Sequence, residues 1–271
     1  MLKNKKYHKV FFIWLFTLII LVGSIIVVGG LTRLTDSGLS ITKWELFSGI
    51  LPPLNNQEWE SYFLLYKEIP QYLLLNSKMT MDEFKYIFLW EYFHRLLARF
   101  IGLFFLLPFF FFIITHSLHR DLQIKLTNIF ILILLQGAVG WFMVESGLVD
   151  NVTVSHFRLS FHLSLAFIIL SLLFWQLMNL RYSVNIGIFY NKSDYKILKI
   201  LLVLIFFQII FGAFVSGLDA GKIYQTWPLM NDNYFPNDIN LNNFLNLNNP
   251  SAVQFIHRNI AYVIFFLTIY S

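Results

Sequence analysis

The sequence contains no cysteine, and few of its residues carry a charge. The absence of cysteine excludes disulfides, thiolate catalysis, zinc–thiolate sites and iron–sulfur clusters, so any metal must be bound by histidine or carboxylate. Only 13% of the 271 residues are charged, against about 25% in a soluble domain. Too few polar side chains remain to cover a surface in water, which excludes a soluble globular enzyme.

Apolar residues make up 57% of the chain, and 31 residues are phenylalanine. This composition excludes intrinsic disorder, which requires low hydrophobicity. A helix that crosses a membrane needs about 20 mostly apolar residues. Four segments of suitable length contain no Asp, Glu, Lys or Arg: Val10–Val28, Leu126–Val144, Leu159–Leu180 and Ile200–Leu218.

Two further segments are predicted to be membrane helices. Ile87–Thr115 contains Pro108, where the backbone groups freed by the proline need other partners. The last helix is predicted to start near Ala252 and to be cut by the end of the sequence. The predicted fold class is therefore an all-α polytopic membrane protein with six helices in this sequence, and further helices are expected beyond Ser271.

The basic residues predict the orientation of these helices. Ten of the 20 lysines and arginines lie in the N-terminal tail and in the loops after the second and fourth spans. By the positive-inside rule, these segments and the N-terminus are cytoplasmic, whereas the loops Leu31–Tyr86 and Asp219–Ser251 lie outside. The net charge of +5 is thus assigned to orientation rather than to nucleic-acid binding. We expect a bacterial inner membrane, or the mitochondrial inner membrane if the gene is organellar.

The chain contains an internal repeat, which predicts an N-terminal half at residues 1–182 and a partial C-terminal half at residues 183–271. The second copy of each repeated loop residue follows the first at an offset of 183, and the helix after each loop repeats at an offset of 163. The pairs are Gly29 with Gly212, Asp36 with Asp219, Gly38 with Gly221, Trp44 with Trp227, Leu46 with Leu229, Pro53 with Pro236, His94 with His257, Arg95 with Arg258, and Ala98 with Ala261.

Three histidines lie inside or at the mouth of apolar spans, where ionisable groups are costly and are candidates for function. At about 1.5 Å rise per residue, His94, His162 and His257 fall within roughly 10 Å of one another in depth. Two histidines on different helices can ligate one haem iron. His156 is a weaker candidate and is expected in the short loop before the fourth span. The alternative is that each histidine only hydrogen-bonds a neighbouring helix.

One carboxylate accompanies these histidines. Glu91 precedes His94 by three residues and shares its helix face, whereas the repeat places Gln254 before His257. A carboxylate beside a metal site can relay protons or stabilise a developing cation. The alternative is an ion pair with Arg95, four residues on. The side chains suited to haem propionates, or to the membrane interface instead, are Arg95, Arg99 and Arg258.

Taken together, these residues resemble the signature of the haem A synthase family over nearly the whole chain, in its cysteine-free form typical of alphaproteobacteria and mitochondria. The matching segments are Gly29–Ser40, Trp44, Gly49–Pro53, Glu91–Arg95, Gln136–Trp141, His156–Leu163, Gly217–Gly221 and Phe255–Arg258.

The resemblance implies eight helices in two pseudo-symmetric four-helix bundles. It implies oxidation of the methyl group at ring position eight of haem O to the formyl group of haem A, through an alcohol. His94 and His162 would be the axial ligands of the substrate haem, and Glu91 the catalytic acid. His257 would ligate a haem b, with its partner histidine in an eighth helix that this sequence lacks, so this piece is expected to be inactive if it is a fragment.

The resemblance also implies partners: a farnesyltransferase that supplies haem O and a terminal oxidase that receives haem A. The main alternative is a di-haem b-type electron carrier, which needs no carboxylate beside one histidine. A transporter with repeated halves is disfavoured, because the polar residues cluster at the outer helix ends and not at the midplane. The sequence leaves open the electron donor and assembly into homo-oligomers.

Overall fold

A computed structural model describes residues 2–3, 5–44, 48–149, 151–182, 195–240 and 244–271. Within these ranges the chain forms α-helices and no β-strand. The helices are α1 (His8–Leu34), α2 (Asn56–Lys67), α3 (Pro70–Leu74), α4 (Met81–Ile114), α5 (Arg120–Glu145), α6 (His156–Arg181), α7 (Lys196–Gly217) and α8 (Pro250–Tyr270).

Six of the described helices, α1 and α4 to α8, are long and apolar enough to cross a membrane. The shortest of them, α8, has 21 residues, and a helix of that length extends for about 30 Å, the thickness of the hydrocarbon core. Their large apolar side chains are widely exposed, including Leu107 and Phe110 on α4. The predicted fold class, an all-α multi-pass membrane protein, is confirmed.

The helices extend beyond the charge-free segments from which they were predicted. At the start of α4, Thr80 and Glu83 form a reciprocal capping box, with the Thr80 hydroxyl accepting from Glu83 N at 3.4 Å. This cap satisfies backbone groups that would otherwise lack partners, so the helix begins at Met81 rather than near Ile87. Hydropathy alone does not detect such a start.

Two short helices, α2 and α3, lie in the segment predicted to be an outer loop, so that prediction missed them. The side chain of Asn55 caps α2 by accepting from Glu58 N at 2.9 Å. The helix buries Phe63 and Tyr66 in a cluster that also contains Phe84 and Phe88 of α4. The first turns of α4 are therefore covered by α2.

The described chain clusters into two compact units. Unit 1 comprises Met1–Val154 and Leu165–Ile186, and unit 2 comprises Ser155–Ser164 and Gly187–Ser271. The core of unit 1 is built from α1, α4, α5 and the later part of α6, with Leu15, Phe105 and Leu173 fully buried. In unit 2, Ala213, Phe214 and Val253 are buried on α7 and α8. The division into repeat halves at residue 182 remains a prediction.

Helix α4 continues through Pro108, and unit 1 supplies a partner for the backbone group that the proline frees. Proline has no N–H, so the carbonyl of Phe104, one turn earlier, loses its helical donor. The indole Nε1 of Trp14 donates to this carbonyl at 2.9 Å. An unbonded carbonyl in a membrane helix costs free energy, so Trp14 stabilises the packing of α1 on α4 at this point.

Replacement of Trp14 by phenylalanine is expected to lower the free energy of unfolding by about 1–2 kcal/mol, because the Phe104 carbonyl loses its donor. The measurement is thermal unfolding in detergent, followed by circular dichroism. In a Pro108→Ala background the helical N–H is restored, so the same Trp14 substitution should cost less. Equal costs in both backgrounds would show that packing, not the hydrogen bond, accounts for the effect.

Several helices end at a residue in the left-handed region. Asp36 after α1, His116 after α4 and Asp219 after α7 have φ values of 51°, 49° and 51°. Aspartate and histidine tolerate this conformation better than most residues, although glycine is the usual choice. The turn lets later N–H groups bond the last carbonyls of the helix; after α4, Ser117 N donates to Phe112 O at 3.1 Å.

Candidate functional site

In unit 1, residues of α4 that the repeat singles out contact a glycine of α1 and the loop that follows α1. We call this group the first corner: Gly29, Ile41, Glu91, His94 and Arg95. Arg95 lies one turn after Glu91 on α4, so both side chains reach the loop that follows α1. Arg95 Nη2 donates to the backbone oxygen of Ile41 at 2.9 Å, which fixes the loop against the helix.

Glu91 is the most buried charged group of the first corner, with 3% of the residue exposed. Its Oε2 accepts from Ser40 Oγ at 2.7 Å and from Ile41 N at 2.9 Å. Its Oε1 accepts from Arg95 Nε at 3.1 Å and from Nη2 at 2.5 Å. A carboxylate has about four acceptor sites, so these bonds satisfy it and hold it in one orientation.

Unit 2 contains a matching group, the second corner: Gly212, Tyr224, Gln254, His257 and Arg258. Arg258 Nη2 donates to the Tyr224 carbonyl at 2.6 Å, and Gln254 Nε2 donates to the same oxygen at 2.9 Å. Gln254 is buried like its counterpart in the first corner. Each arginine therefore joins its helix to the loop of its own unit.

The contacts of the corners, and not only their residues, repeat. Glu91 accepts a hydrogen bond from a loop N–H, whereas Gln254 donates one to a loop carbonyl. The corners thus share their geometry and differ in charge at this position. The loop carbonyls contacted by the arginines also follow the offset of 183: Ile41 and Lys43 for Arg95, and Tyr224 and Thr226 for Arg258.

In each corner the histidine ring lies against a glycine of the neighbouring helix. A Cβ atom added at Gly29 would lie 3.0 Å from Cε1 of His94, and one added at Gly212 would lie 3.2 Å from Cε1 of His257. Both distances are shorter than ordinary van der Waals contact. The repeated glycines therefore provide the space that the imidazole rings occupy.

If His94 ligates a haem, as the sequence predicts, Gly29→Ala should displace its ring and weaken haem binding about tenfold. This is the lower end of the effect seen when groups that orient a metal ligand are disturbed. The measurements are haem content and the absorption spectrum of the purified protein. Gly30→Ala is the matched control, because a Cβ there meets nothing within 4 Å. Equal effects of the two substitutions would contradict a role of Gly29 in positioning the ring.

The nitrogens of the two corner histidines have different surroundings. Within the described part of the chain, Nδ1 of His94 and Nδ1 of His257 are buried and have no hydrogen-bond partner. Nε2 of His257 lies 3.3 Å from the amide Nε2 of Gln208, which can donate to it. The described residues offer no cluster of three or more His, Asp or Glu that could hold a lone metal ion.

The other two candidate histidines lie on α6. His156 is its first residue, so its predicted place in the preceding loop is wrong; the helix starts earlier because Leu159 N donates to Ser155 O at 2.9 Å. The His156 ring packs edge-on against Phe214 at 5.7 Å between ring centroids. His162 is half-buried and belongs to unit 2, whereas His94 belongs to unit 1. Their pairing remains a prediction.

The candidate propionate ligands have other contacts in this structure. Arg95 bonds Glu91 and the loop, and Arg258 bonds three loop carbonyls, those of Tyr224, Thr226 and Leu229. Arg95 and Arg99 line a cavity of about 20 Å³, which is room for about one water. Their contact with propionates remains a prediction.

A hydrogen-bonded group ties the loop after α7 to the first turn of α8. Asp238 accepts from Tyr224 Oη at 2.6 Å and from Ser251 Oγ at 2.7 Å. Burial raises the pKa of the Tyr224 phenol, and the bond to Asp238 raises it further. Burial alone would raise the pKa of Asp238, but the bonds from Ser251 and Tyr224 lower it on balance. Its contribution to stability is therefore present near neutral pH and is lost as the pH falls through this lowered pKa.

The fold and the corners define a class: an all-α multi-pass membrane protein whose units each place a histidine against a glycine and an arginine against a loop. The chain belongs to the Cytochrome oxidase assembly protein family, which it matches over residues 12–271. The family assignment predicted from the sequence is thereby confirmed.

Proteins named Heme A synthase are similar to this chain. The one from Pelagibacter ubique is 51% identical over 98% of this chain and 79% of its own length. The one from Bartonella quintana is 45% identical over 98% of this chain and 75% of its own length. The one from Nitrosospira multiformis is 44% identical over 93% of this chain and 72% of its own length. No solved structure matches the chain.

Proposed function

We propose that the protein is a haem A synthase, which oxidises the methyl group at ring position eight of haem O to a formyl group through a hydroxymethyl intermediate. The similarity to proteins named Heme A synthase supports this proposal. The observation that carries it is the chemical difference between otherwise matching corners. A buried carboxylate, Glu91, accompanies His94, whereas the neutral Gln254 accompanies His257.

The residues of the corners fit a haem. His94 lies in a membrane helix with a buried Nδ1 that has no partner among the described residues, and an unsatisfied polar atom in such a place is costly unless a ligand gives the ring a role. In this proposal His94 and His162 hold the substrate haem O. His257 holds haem b.

Haem supplies the redox chemistry, because no amino-acid side chain can oxidise an unactivated methyl group. Glu91 supplies a fixed negative charge. All of its hydrogen bonds come from donors, which suits the charged form, so we favour stabilisation of positive charge on the oxidised carbon over proton relay. Ser40 and Arg95 position the carboxylate and do not touch the substrate in this scheme.

The apolar surface of the helices suits a substrate with a farnesyl tail, which can lie among exposed leucine and phenylalanine side chains. We place the protein in the bacterial inner membrane, or its mitochondrial equivalent, with the N-terminus in the cytoplasm. A farnesyltransferase would deliver haem O, and a terminal oxidase would receive haem A.

The second candidate function is a di-haem b-type electron carrier. The repetition of the arginine contacts in both corners favours it, because a carrier needs two equivalent haem sites and no chemistry of its own. The carboxylate of Glu91 in one corner only has no purpose in a carrier.

The haems extracted from the protein after the reaction distinguish these two functions. The protein in its native membrane, supplied with haem O and an electron acceptor, is expected to yield hydroxymethyl and formyl haem, identified by chromatography and mass spectrometry. Membranes without the protein provide the background. Recovery of haem b together with unchanged haem O would reject the synthase and leave the carrier.

A further inference from the structure

A cavity of about 560 Å³ opens in unit 1 at the end of the helices where α1 begins and α4 ends, far along α4 from the first corner. Three of its lining side chains, Lys3, His116 and Arg120, are basic or can become so, and no lining residue among those described is acidic. Asp121, the acidic residue that follows Arg120 in the sequence, forms an ion pair with Lys125, with 2.8 Å between its Oδ2 and Lys125 Nζ.

The backbone around this cavity is arranged by specific contacts. The N-terminal segment runs beside the loop between α4 and α5, where Lys3 N donates to Ser117 O at 2.8 Å and Leu2 forms an isolated bridge with Leu118. These contacts carry the Lys3 side chain to a cavity whose other residues come from α4, α5 and their loop. The cation cluster is thus built from two distant parts of the sequence.

His116 occupies this cluster in a conformation that favours glycine. Its φ of 49° lies in the left-handed region, which costs free energy for a residue with a side chain. The helix end needs only the backbone turn, and glycine would supply it at lower cost. The histidine side chain therefore adds something that capping does not require, and it lines the cavity.

The ends of the two helices favour an anion here. The last carbonyls of α4 are already bonded, since Thr115 N, His116 N and Ser117 N donate back into the helix. No side chain caps the N-terminus of α5, whose 26 residues direct a positive dipole end toward this loop. Part of the remaining wall is apolar and is formed by Phe112, Ile113, Leu118 and Ile124, whereas α5 also contributes the uncharged polar residues Gln123, Thr127 and Asn128.

We propose that this cavity binds the phosphate group of an anionic phospholipid, with Lys3, His116 and Arg120 around the headgroup and the apolar wall against the glycerol and the start of an acyl chain. A phosphodiester suits a cluster of cations, and lipid is the source of phosphate that also explains the apolar wall. Under the proposed orientation, this end of the protein meets the cytoplasmic leaflet.

The test is native mass spectrometry of the purified, delipidated protein titrated with phosphatidylglycerol or phosphatidylcholine. Phosphatidylglycerol is expected to bind more tightly. Lys3→Gln and Arg120→Gln should each weaken its binding about fivefold, the effect of one cation at a membrane surface. Lys9→Gln is the matched control: it removes one charge from an exposed residue outside the cavity, at the start of α1, and should leave the binding unchanged.

His116→Gly separates binding from folding. It should weaken phosphatidylglycerol binding without lowering the melting temperature, because glycine accepts the left-handed backbone. Equal binding of the two lipids, or equal losses in the Arg120 and Lys9 variants, would overturn the proposal. If inorganic phosphate alone prevented phosphatidylglycerol from binding to the cavity, the assignment to lipid would be overturned. Haem content, measured in parallel, reports on the corners and stays constant if the two sites are independent.

Discussion

The Glu91→Gln variant is expected to retain its haem and to lose formation of hydroxymethyl and formyl haem by at least about a hundredfold. Glutamine keeps the size of the side chain, and its oxygen can still accept from either Arg95 or Ile41 N. It removes the negative charge that the proposed oxidation uses. The measurements are the haem spectrum, the melting temperature and the rate of product formation.

These readouts separate a catalytic role from a purely structural one. The amide group of glutamine must face a donor on one side, which costs about 1–3 kcal/mol, so some loss of stability accompanies the substitution. Ser40→Ala removes one donor to the same carboxylate and should cost stability while retaining much of the activity. Glu60→Gln, at an exposed position on α2, controls for the loss of any glutamate. A Glu91→Gln protein with undiminished turnover would end the catalytic proposal.

Replacement of the three candidate haem ligands by methionine is expected to affect different haems. His94→Met and His162→Met should each weaken binding of the substrate haem by more than about a hundredfold, or shift its spectrum to that of methionine ligation. His257→Met should instead alter haem b. The measurements are low-temperature absorption spectra and redox titration of the purified protein.

His119→Met is the matched control for these variants, because His119 is exposed at the start of α5 and far along the chain from either corner. An unchanged spectrum in the His94 variant would remove that residue as a ligand. A His162 variant that alters haem b but not the substrate haem would reassign His162 to the other site. That outcome would leave the family assignment intact and change only the pairing.

The sequence predicted the membrane helices because the hydropathy of successive residues adds up along the chain. Each span needs only enough apolar residues in succession, and the six segments found in this way are helices in the structure. Helix ends were predicted less well. The start of α4 depends on the cap formed by Thr80 and Glu83, and the start of α6 moves His156 out of its predicted loop.

The repeat aligned Gly29 with Gly212 and His94 with His257, yet it gave no indication that each glycine faces its histidine. The glycines repeat at an offset of 183 and the histidines at an offset of 163. They therefore belong to different repeated segments, and the repeat does not show that the two segments meet. The contact between Arg95 and the Ile41 carbonyl was also missed, since a backbone oxygen leaves no trace in residue identity. An acceptor of that kind can be found only from coordinates.

Hydropathy, charge and residue identity are properties of short segments of the chain. The sequence by itself therefore determined the class of protein, the number of spans within it, the repeat and the candidate histidines. Tertiary structure alone decided which groups meet. It showed that Glu91 accepts bonds from the loop while Gln254 donates one, that Trp14 satisfies the carbonyl freed by Pro108, and that Lys3 and His116 line the same cavity. Each of these contacts joins residues far apart in sequence, and only the packing of helices brings them within hydrogen-bonding distance or to one cavity.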